Sequence, residues 1–206
     1  MSVVFTTVTE EYIVLCADKQ VTNMGTGEAQ VNVATKIEKW TPSIGVGWAG
    51  NAALADIIIS AVKGVVGKTK INSFTLEDLA DLFAQAYYAA RDEYPDMPAD
   101  AIAKFAVTGR LSTGKLGIIQ IIDGNDIADT EVFEAQPHPI TLIFDPEDLS
   151  SEECNQLLTK ALVNTRNKKT YGQDLLETAY RKAVRYVSEH SKYVGPKSDY
   201  LIIELT

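Results

Sequence analysis

Hydrophobic runs separated by short polar breaks predict two β-hairpins near the amino terminus. Short runs rich in β-branched and aromatic residues are broken by Glu10-Glu11 in the first pair and by Thr41-Pro42 in the second. The polar segment 22–32 contains two glycines and is predicted to be a loop. Four strands are therefore expected before any helix, at residues 3–9, 12–18, 36–40 and 43–48.

Apolar residues at helical spacing predict four helices, each with a recognisable start. Asn51 is suited to cap the first, whereas Thr75 with Asp78 and Ser150 with Glu153 match the capping box, in which a hydroxyl and a carboxylate satisfy each other's backbone N–H groups. The helices are expected after residue 51 to about 67, at 75 to about 94, from 150 onward, and at about 173–190.

The order of the elements indicates the fold class. Further strands are expected at 104–110, 116–122, 127–134, 140–144 and 200–205, so strands and helices occur in blocks and do not alternate. Blocks of this kind favour an α+β architecture. Two antiparallel sheets stacked face to face, with a helix pair on each outer face, would bury all the apolar stripes. We therefore expect a four-layer αββα sandwich formed by a single domain, residues 1–206.

Composition excludes several classes of partner. The 206 residues are 46% hydrophobic and 23% charged with a net charge of -9, which argues against nucleic-acid binding because phosphates require a basic surface. No apolar run reaches the roughly 18 residues of a membrane helix, since Asp56 and Lys63 interrupt segment 52–66. No secretory signal is visible at the start, so no membrane association and a cytoplasmic location are expected.

The cysteines and histidines do not suggest a disulfide or a metal site. Cys16 lies in an apolar strand and Cys154 on a helix face, so both are expected to be core thiols. His138 and His190 have no partner at metal-ligand spacing. We expect neither a metal nor an organic cofactor.

The run Gly45-Val46-Gly47-Trp48-Ala49-Gly50 matches the pattern of a dinucleotide-binding loop. That fingerprint requires the glycines in the turn after a strand and an acidic residue about 20 positions later. Here two of the glycines fall within a strand, and Lys70 lies 20 positions after Gly50. A nucleotide-binding module is therefore a minor alternative, and the pattern favours close backbone packing or an exposed Gly50 amide beside a helix start.

Several spaced motifs together resemble a known family. They are Asp18-Lys19-Gln20-Val21-Thr22, the segment from residue 32 to Lys36-Ile37, and Gly47-Trp48-Ala49-Gly50 before an alanine-rich helix. In this order they resemble the N-terminal half of the proteasome β-subunit family, and more so its bacterial ring-forming peptidase branch, where Asp-x-Gln-x-Thr is usual. The motifs cover about residues 2–65, and the strand and helix order extends the resemblance over the whole chain.

The resemblance implies an N-terminal nucleophile hydrolase whose amino-terminal hydroxyl attacks an amide carbonyl. In the family the nucleophile precedes its Asp by about sixteen positions, and Ser2 lies sixteen positions before Asp18. Thr6 and Thr7 are too near Asp18 for that register. Ser2 is thus the candidate nucleophile after removal of Met1, which would free an α-amine of pKa about 8 to act as general base.

The resemblance also implies roles for three further residues. Lys36 would lie beneath the hydroxyl and favour its deprotonated form, Asp18 would orient and balance that lysine, and the Gly50 amide would form the oxyanion hole. It implies a homo-oligomeric ring, a peptide substrate and an unfolding ATPase as a possible partner.

Two regions of this chain differ from the usual pattern of the family. Segment 144–148 lacks the Ser-Gly pair that usually enters the third helix, and Ser191 and Val194 occupy the positions of a usual Asp and Ser. The main alternative is therefore a catalytically inactive, proteasome-like assembly or scaffold protein. Retention of Met1 would also remove the proposed base.

Overall fold

The fold was obtained as a computed structural model, which describes residues 2–22, 28–30, 34–67, 74–98, 101–123, 128–166 and 172–204. Six described strands precede the first helix: β1 (Val4–Val8), β2 (Tyr12–Asp18), β3 (Val21–Thr22), β4 (Ala29–Gln30), β5 (Ile37–Thr41) and β6 (Ile44–Gly50). They are followed by α1 (Ala52–Val66), α2 (Leu76–Glu93), β7 (Ala103–Arg110), β8 (Leu116–Asp123), β9 (Ala128–Glu134), β10 (Ile140–Phe144), α3 (Ser151–Arg166), α4 (Gln173–Ser188) and β11 (Ser198–Glu204).

Two antiparallel sheets form the centre of the molecule. One has the strand order β10-β1-β2-β11 and the other β5-β6-β7-β8-β9. In the first sheet β2 lies between β1 and β11, with Val4 opposite Ala17 and Ser198 opposite Asp18. The carboxyl end of β2 is therefore next to the start of β1 and the start of β11, which brings three distant parts of the chain to one sheet end.

Three apolar clusters define four layers. The cluster between the sheets includes Val4 and Leu15 from one sheet and Ala106 and Ile118 from the other. The outer face of the five-stranded sheet packs against α1 and α2, and that of the four-stranded sheet packs against α3 and α4. This arrangement confirms the predicted α+β fold with an αββα sandwich.

The helix starts form as the sequence predicts. Asn51 caps α1 by accepting a hydrogen bond from the Leu54 N–H at 3.0 Å. Thr75 and Asp78 form a reciprocal capping box at α2. Ser150 and Glu153 do the same before α3, at 2.8 and 3.2 Å for the two backbone donors.

The expectation of only four strands before the first helix was wrong. Strands β3 and β4 pair as a short ribbon within the segment predicted to be a loop, with Val21 opposite Gln30 and Thr22 opposite Ala29. Two residues per strand are too few to show a hydrophobic alternation, so the sequence carries no signal for them. Residues 23–27 and 31–32 of that segment, Ile127, and the last residue of the final predicted strand lie outside the described residues.

Within the described ranges, none of the four helices is long and apolar enough to cross a membrane. The longest, α2, has 18 residues and carries acidic residues in its first turn.

Candidate active site

Asp18 is the centre of a buried hydrogen-bond cluster at the end of β2. Its Oδ1 accepts hydrogen bonds from Lys36 Nζ at 2.9 Å and from the Val3 backbone N–H at 3.1 Å. Its Oδ2 accepts from the backbone N–H groups of Gln20 at 2.9 Å and Gly195 at 3.3 Å. The carboxylate thus joins four segments of the chain and has two donors on each oxygen.

Lys36 immediately precedes β5 and is 1% exposed. Besides the bond to Asp18, its ammonium donates to the backbone carbonyl of Gln20. Its own carbonyl accepts a hydrogen bond from the Trp48 N–H at 2.8 Å. The lysine is therefore fixed at both its backbone and its charged end.

Ser2 lies next to this cluster along the chain. It is 2% exposed, and the following residue, Val3, is bonded to Asp18 in both directions, because the Asp18 N–H also donates to the Val3 carbonyl at 3.3 Å. Side chains alternate along extended backbone, and Val4 faces the space between the sheets. Continued alternation places Ser2 on that same inter-sheet side.

The electrostatics of the pair are dominated by loss of solvent. Burial raises the pKa of the Asp18 carboxyl above its ordinary 3.8, against the opposing effects of Lys36 and the Gln20 and Gly195 N–H groups. Burial lowers the pKa of Lys36 below its ordinary 10.5, against the opposing effect of Asp18. Both shifts have the sign expected when the cost of removing the charges from water exceeds their mutual attraction.

Gly50 ends β6 and adjoins the start of α1. Its φ is +102°, and a Cβ at this position would lie 2.2 Å from the Ile102 carbonyl oxygen. Asn51, the helix cap, donates its N–H to the same carbonyl at 2.7 Å. Close backbone packing is thus sufficient to explain the glycine, and one residue separates it from Trp48, the backbone partner of Lys36.

The other two glycines of the G-x-G-x-x-G run face the opposite sheet. A Cβ on Gly45 would lie 2.8 Å from Ile203 Cδ1, and one on Gly47 would lie 3.2 Å from Leu15 Cδ2. Strand β6 is antiparallel to both β5 and β7. A dinucleotide-binding loop belongs to a parallel strand-helix-strand unit, so these glycines serve sheet packing here.

A hydrogen-bonded pair that the sequence did not reveal joins the segment after α4 to the loop before α3. The Ser191 hydroxyl donates to Asp148 Oδ1 at 2.6 Å, and the Lys192 N–H donates to Asp148 Oδ2 at 3.1 Å. The two side chains are 43 residues apart in sequence, so only the fold brings them together. Val194 is buried in the cluster beneath α3 and α4.

The cysteines have the environment predicted for them. Cys16 and Cys154 are both free and fully buried in the cluster beneath α3 and α4. Burial raises the pKa of each thiol to about 12. His190 is an exposed residue whose Nδ1 lies 2.7 Å from the Tyr186 carbonyl oxygen just after α4.

Comparison by sequence finds no relative, because no protein-family model and no curated protein matches the chain. Comparison by structure finds many. Anbu from Pseudomonas aeruginosa, solved as a helical assembly, is 16% identical with a TM-score of 0.70 over 98% of this chain and 81% of its own. A Gly-1 mutant of Anbu from Hyphomicrobium sp. strain MC1 is 14% identical with a TM-score of 0.69, over 99% and 82%.

Eukaryotic HslV from Trypanosoma brucei is 16% identical with a TM-score of 0.55, and the match covers 98% of this chain and 99% of that one. The chain has the fold of the proteasome-like N-terminal nucleophile hydrolases. The proteasome-like resemblance drawn from the motifs near Asp18, Lys36 and Gly50 is thus confirmed at the level of fold. At 14–16% identity, structural similarity of this kind shows the fold of the chain, and its chemistry has to be argued from the site.

Proposed function

We propose that this protein is a proteasome-like N-terminal nucleophile hydrolase that cleaves peptide (amide) bonds through Ser2 after removal of Met1. The observation that supports it best is the buried Asp18–Lys36 pair, hydrogen-bonded to the backbone of the residue that follows Ser2. A buried lysine and carboxylate at a sheet end are costly for stability, and perturbed groups of this kind concentrate at functional sites.

The proposed reaction has two steps. The Ser2 hydroxyl attacks the amide carbonyl while the free α-amine takes its proton, and the amine leaving group departs with that proton, which leaves an ester on Ser2. Water then attacks the ester, with the α-amine again as base, and releases the acid. Lys36 stabilises negative charge on the attacking oxygen, and Asp18 holds the ammonium in place.

Gly50 is the proposed oxyanion donor. Its position at the end of β6 and the start of α1 combines an amide at a strand end with the positive end of a helix dipole. Removal of an oxyanion-hole donor typically lowers the rate by about 100- to 1,000-fold.

Assembly and location belong to the same proposal. Anbu from Pseudomonas aeruginosa, which has a similar fold, was solved as a helical assembly, and this supports homo-oligomerisation of the present chain. We propose a homo-oligomeric ring acting on peptide substrates in the cytoplasm, with an unfolding ATPase as a candidate partner.

The second candidate function is a proteasome-like scaffold without activity. It is favoured by the region after α4, where the buried side chain of Val194 is apolar and the Ser191 hydroxyl is engaged by Asp148. An Asp and a Ser at these two positions would support the nucleophile according to the family resemblance.

Intact mass and covalent labelling separate the two candidates. A protein that has lost Met1 should react once per chain with an inhibitor directed at N-terminal hydroxyl nucleophiles, and Ser2→Ala should abolish the label. Ser2→Thr, which keeps a hydroxyl, should retain it. Thr6→Val is a matched control, because Thr6 lies in the adjoining strand β1 and its buried hydroxyl has no hydrogen-bond partner among the described residues. An unlabelled wild type whose Met1 is absent would support the scaffold.

A further inference from the structure

The segment that follows α4, residues 191–195, is anchored from two sides. One anchor is Asp148, in the loop before α3, and the other is the end of β2 with Asp18 and Gln20. Since α4 ends at Ser188 and β11 begins at Ser198, these anchors hold the connection between the two elements.

The anchor at Asp148 uses both carboxylate oxygens. Oδ1 accepts from the Ser191 hydroxyl at 2.6 Å and Oδ2 from the Lys192 N–H at 3.1 Å. The Ser191 oxygen in turn accepts from the Tyr193 N–H at 3.1 Å. One carboxylate thus orders three successive residues, and Ser191 is only 4% exposed.

The second anchor connects the same segment to the candidate active site. Gln20 Nε2 donates to the Lys192 carbonyl at 2.9 Å, and the Gly195 N–H donates to Asp18 Oδ2 at 3.3 Å. The approach is close, because a Cβ on Gly195 would lie 3.0 Å from Gln20 Cβ. The hydrogen bond from the Gly195 N–H to Asp18 therefore depends on the exact path of segment 191–195.

We propose that Asp148 is a positioning residue for the Asp18–Lys36 pair. It fixes segment 191–195 so that the Gly195 N–H reaches Asp18 and helps to keep that buried carboxyl ionised beside Lys36. The effect on rate rests on the proposed function, whereas the effect on Asp18 does not.

The physical reason lies in the burial of Asp18. Burial raises the pKa of this carboxyl, and the Gly195 N–H is one of the groups that oppose the rise. Hydrogen bonds to a charged group are stronger than those between neutral groups. If segment 191–195 loosened, the hydrogen bond from the Gly195 N–H to Asp18 would weaken. The pKa of Asp18 would then rise further, and the ion pair between Asp18 and Lys36 would weaken.

The test compares Asp148→Ala with Asp145→Ala. Asp145 is a good control because it lies in the same loop before α3 but binds Lys104 at 3.4 Å and Ser151 at 3.0 Å, away from segment 191–195. The Asp18 carboxyl is titrated by carbon-13 NMR with labelled aspartate, and amide exchange is measured for peptides containing Gly195.

In Asp148→Ala the pKa of Asp18 should rise and the Gly195 amide should exchange faster, while Asp145→Ala leaves both unchanged. Asp148→Asn, which keeps only one of the two acceptor oxygens, should change both quantities in the same direction but by less, and it provides the test if the alanine variant folds poorly. An unchanged Asp18 titration and Gly195 exchange in both Asp148 variants would overturn the proposal.

A second readout reports on the reaction. With active protein, Asp148→Ala should lower kcat/KM about tenfold, as expected for the loss of one hydrogen bond to a charged group. The acidic limb of its pH profile should move to higher pH. Should the wild type be inactive, the proposed function fails, and the Asp18 titration still decides the role of Asp148.

Discussion

Lys36 Nζ lies 2.9 Å from Asp18 Oδ1, and the two side chains are 1% and 0% exposed. Removing an ammonium and a carboxylate from water costs several kcal/mol per ion, and their attraction offsets this only with good geometry and further hydrogen bonds. Both conditions hold, because Asp18 has three backbone donors besides Lys36 and Lys36 has the Gln20 carbonyl. Such a pair is better suited to function than to stability.

Removal of one partner of this pair should strongly destabilise the protein. Lys36→Met and Asp18→Asn each leave the other group buried without its counter-ion, so we expect a loss of about 3–5 kcal/mol in the free energy of unfolding. Denaturant unfolding of the two variants measures this loss.

The control for this prediction is the exposed pair Lys63–Glu38, whose side chains are 46% and 47% exposed. Lys63→Met should cost less than about 1 kcal/mol because solvent screens an exposed pair. Equal losses at the buried and exposed pairs would contradict the importance of burial at Lys36.

The pH dependence of stability should show both titrations of the pair. The pKa of Asp18 is raised on folding, so its stabilising contribution is present below 3.8 and is lost as pH rises through its folded value. The pKa of Lys36 is lowered, so its contribution is present above 10.5 and is lost as pH falls through its folded value.

The double variant Asp18→Asn/Lys36→Met provides the reference for this measurement. As pH rises, the stability of the wild type minus that of the double variant should decrease in the acidic range, reach its minimum between the two folded pKa values, and increase again in the alkaline range. Thermal unfolding at a series of pH values measures the difference, and a maximum at neutral pH would show that attraction outweighs burial.

Gly50→Ala should destabilise the protein for two reasons. The substitution forces an L side chain into a positive φ and places its Cβ 2.2 Å from the Ile102 carbonyl oxygen. We expect a loss above the roughly 1–3 kcal/mol of backbone strain alone, measured by denaturant unfolding.

Gly114→Ala separates the two causes. Gly114 also has a positive φ, of 85°, but a Cβ there would meet no atom of the described residues within 4 Å. The loss in the free energy of unfolding of Gly114→Ala should therefore be smaller and reflect backbone strain alone. A Gly114 variant as unstable as the Gly50 variant would mean that the Ile102 contact relaxes easily.

Both thiols should resist alkylation in the folded protein. Cys16 and Cys154 are buried, and their pKa values of about 12 leave almost no thiolate near neutral pH. Iodoacetamide followed by mass spectrometry should add no label to native protein and two labels after denaturation. Fast labelling of either cysteine in the native protein would show that the layer formed by α3 and α4 opens.

Much of the fold could be predicted from local pattern. The β-branched and aromatic runs of β1 and β2, the cap at Asn51 and the capping box at Thr75 each depend on residues close in sequence, and each forms as expected. The ribbon β3–β4 could not be predicted, because two residues per strand carry no periodicity. The order of strand blocks and helix blocks along the chain was sufficient to predict the order of the four layers.

For the site, the sequence by itself determined the spacing of Ser2, Asp18 and Lys36 along the chain, which matches the motifs of the family, and placed Gly50 at a strand end. The tertiary structure decided which of these meet. It joined Asp18 to Lys36 and Val3, and it added Gly195 and the Asp148–Ser191 pair. Local pattern encodes elements because backbone geometry repeats over a few residues. Contacts between positions 43 or 177 residues apart arise only when the sheets and helices pack.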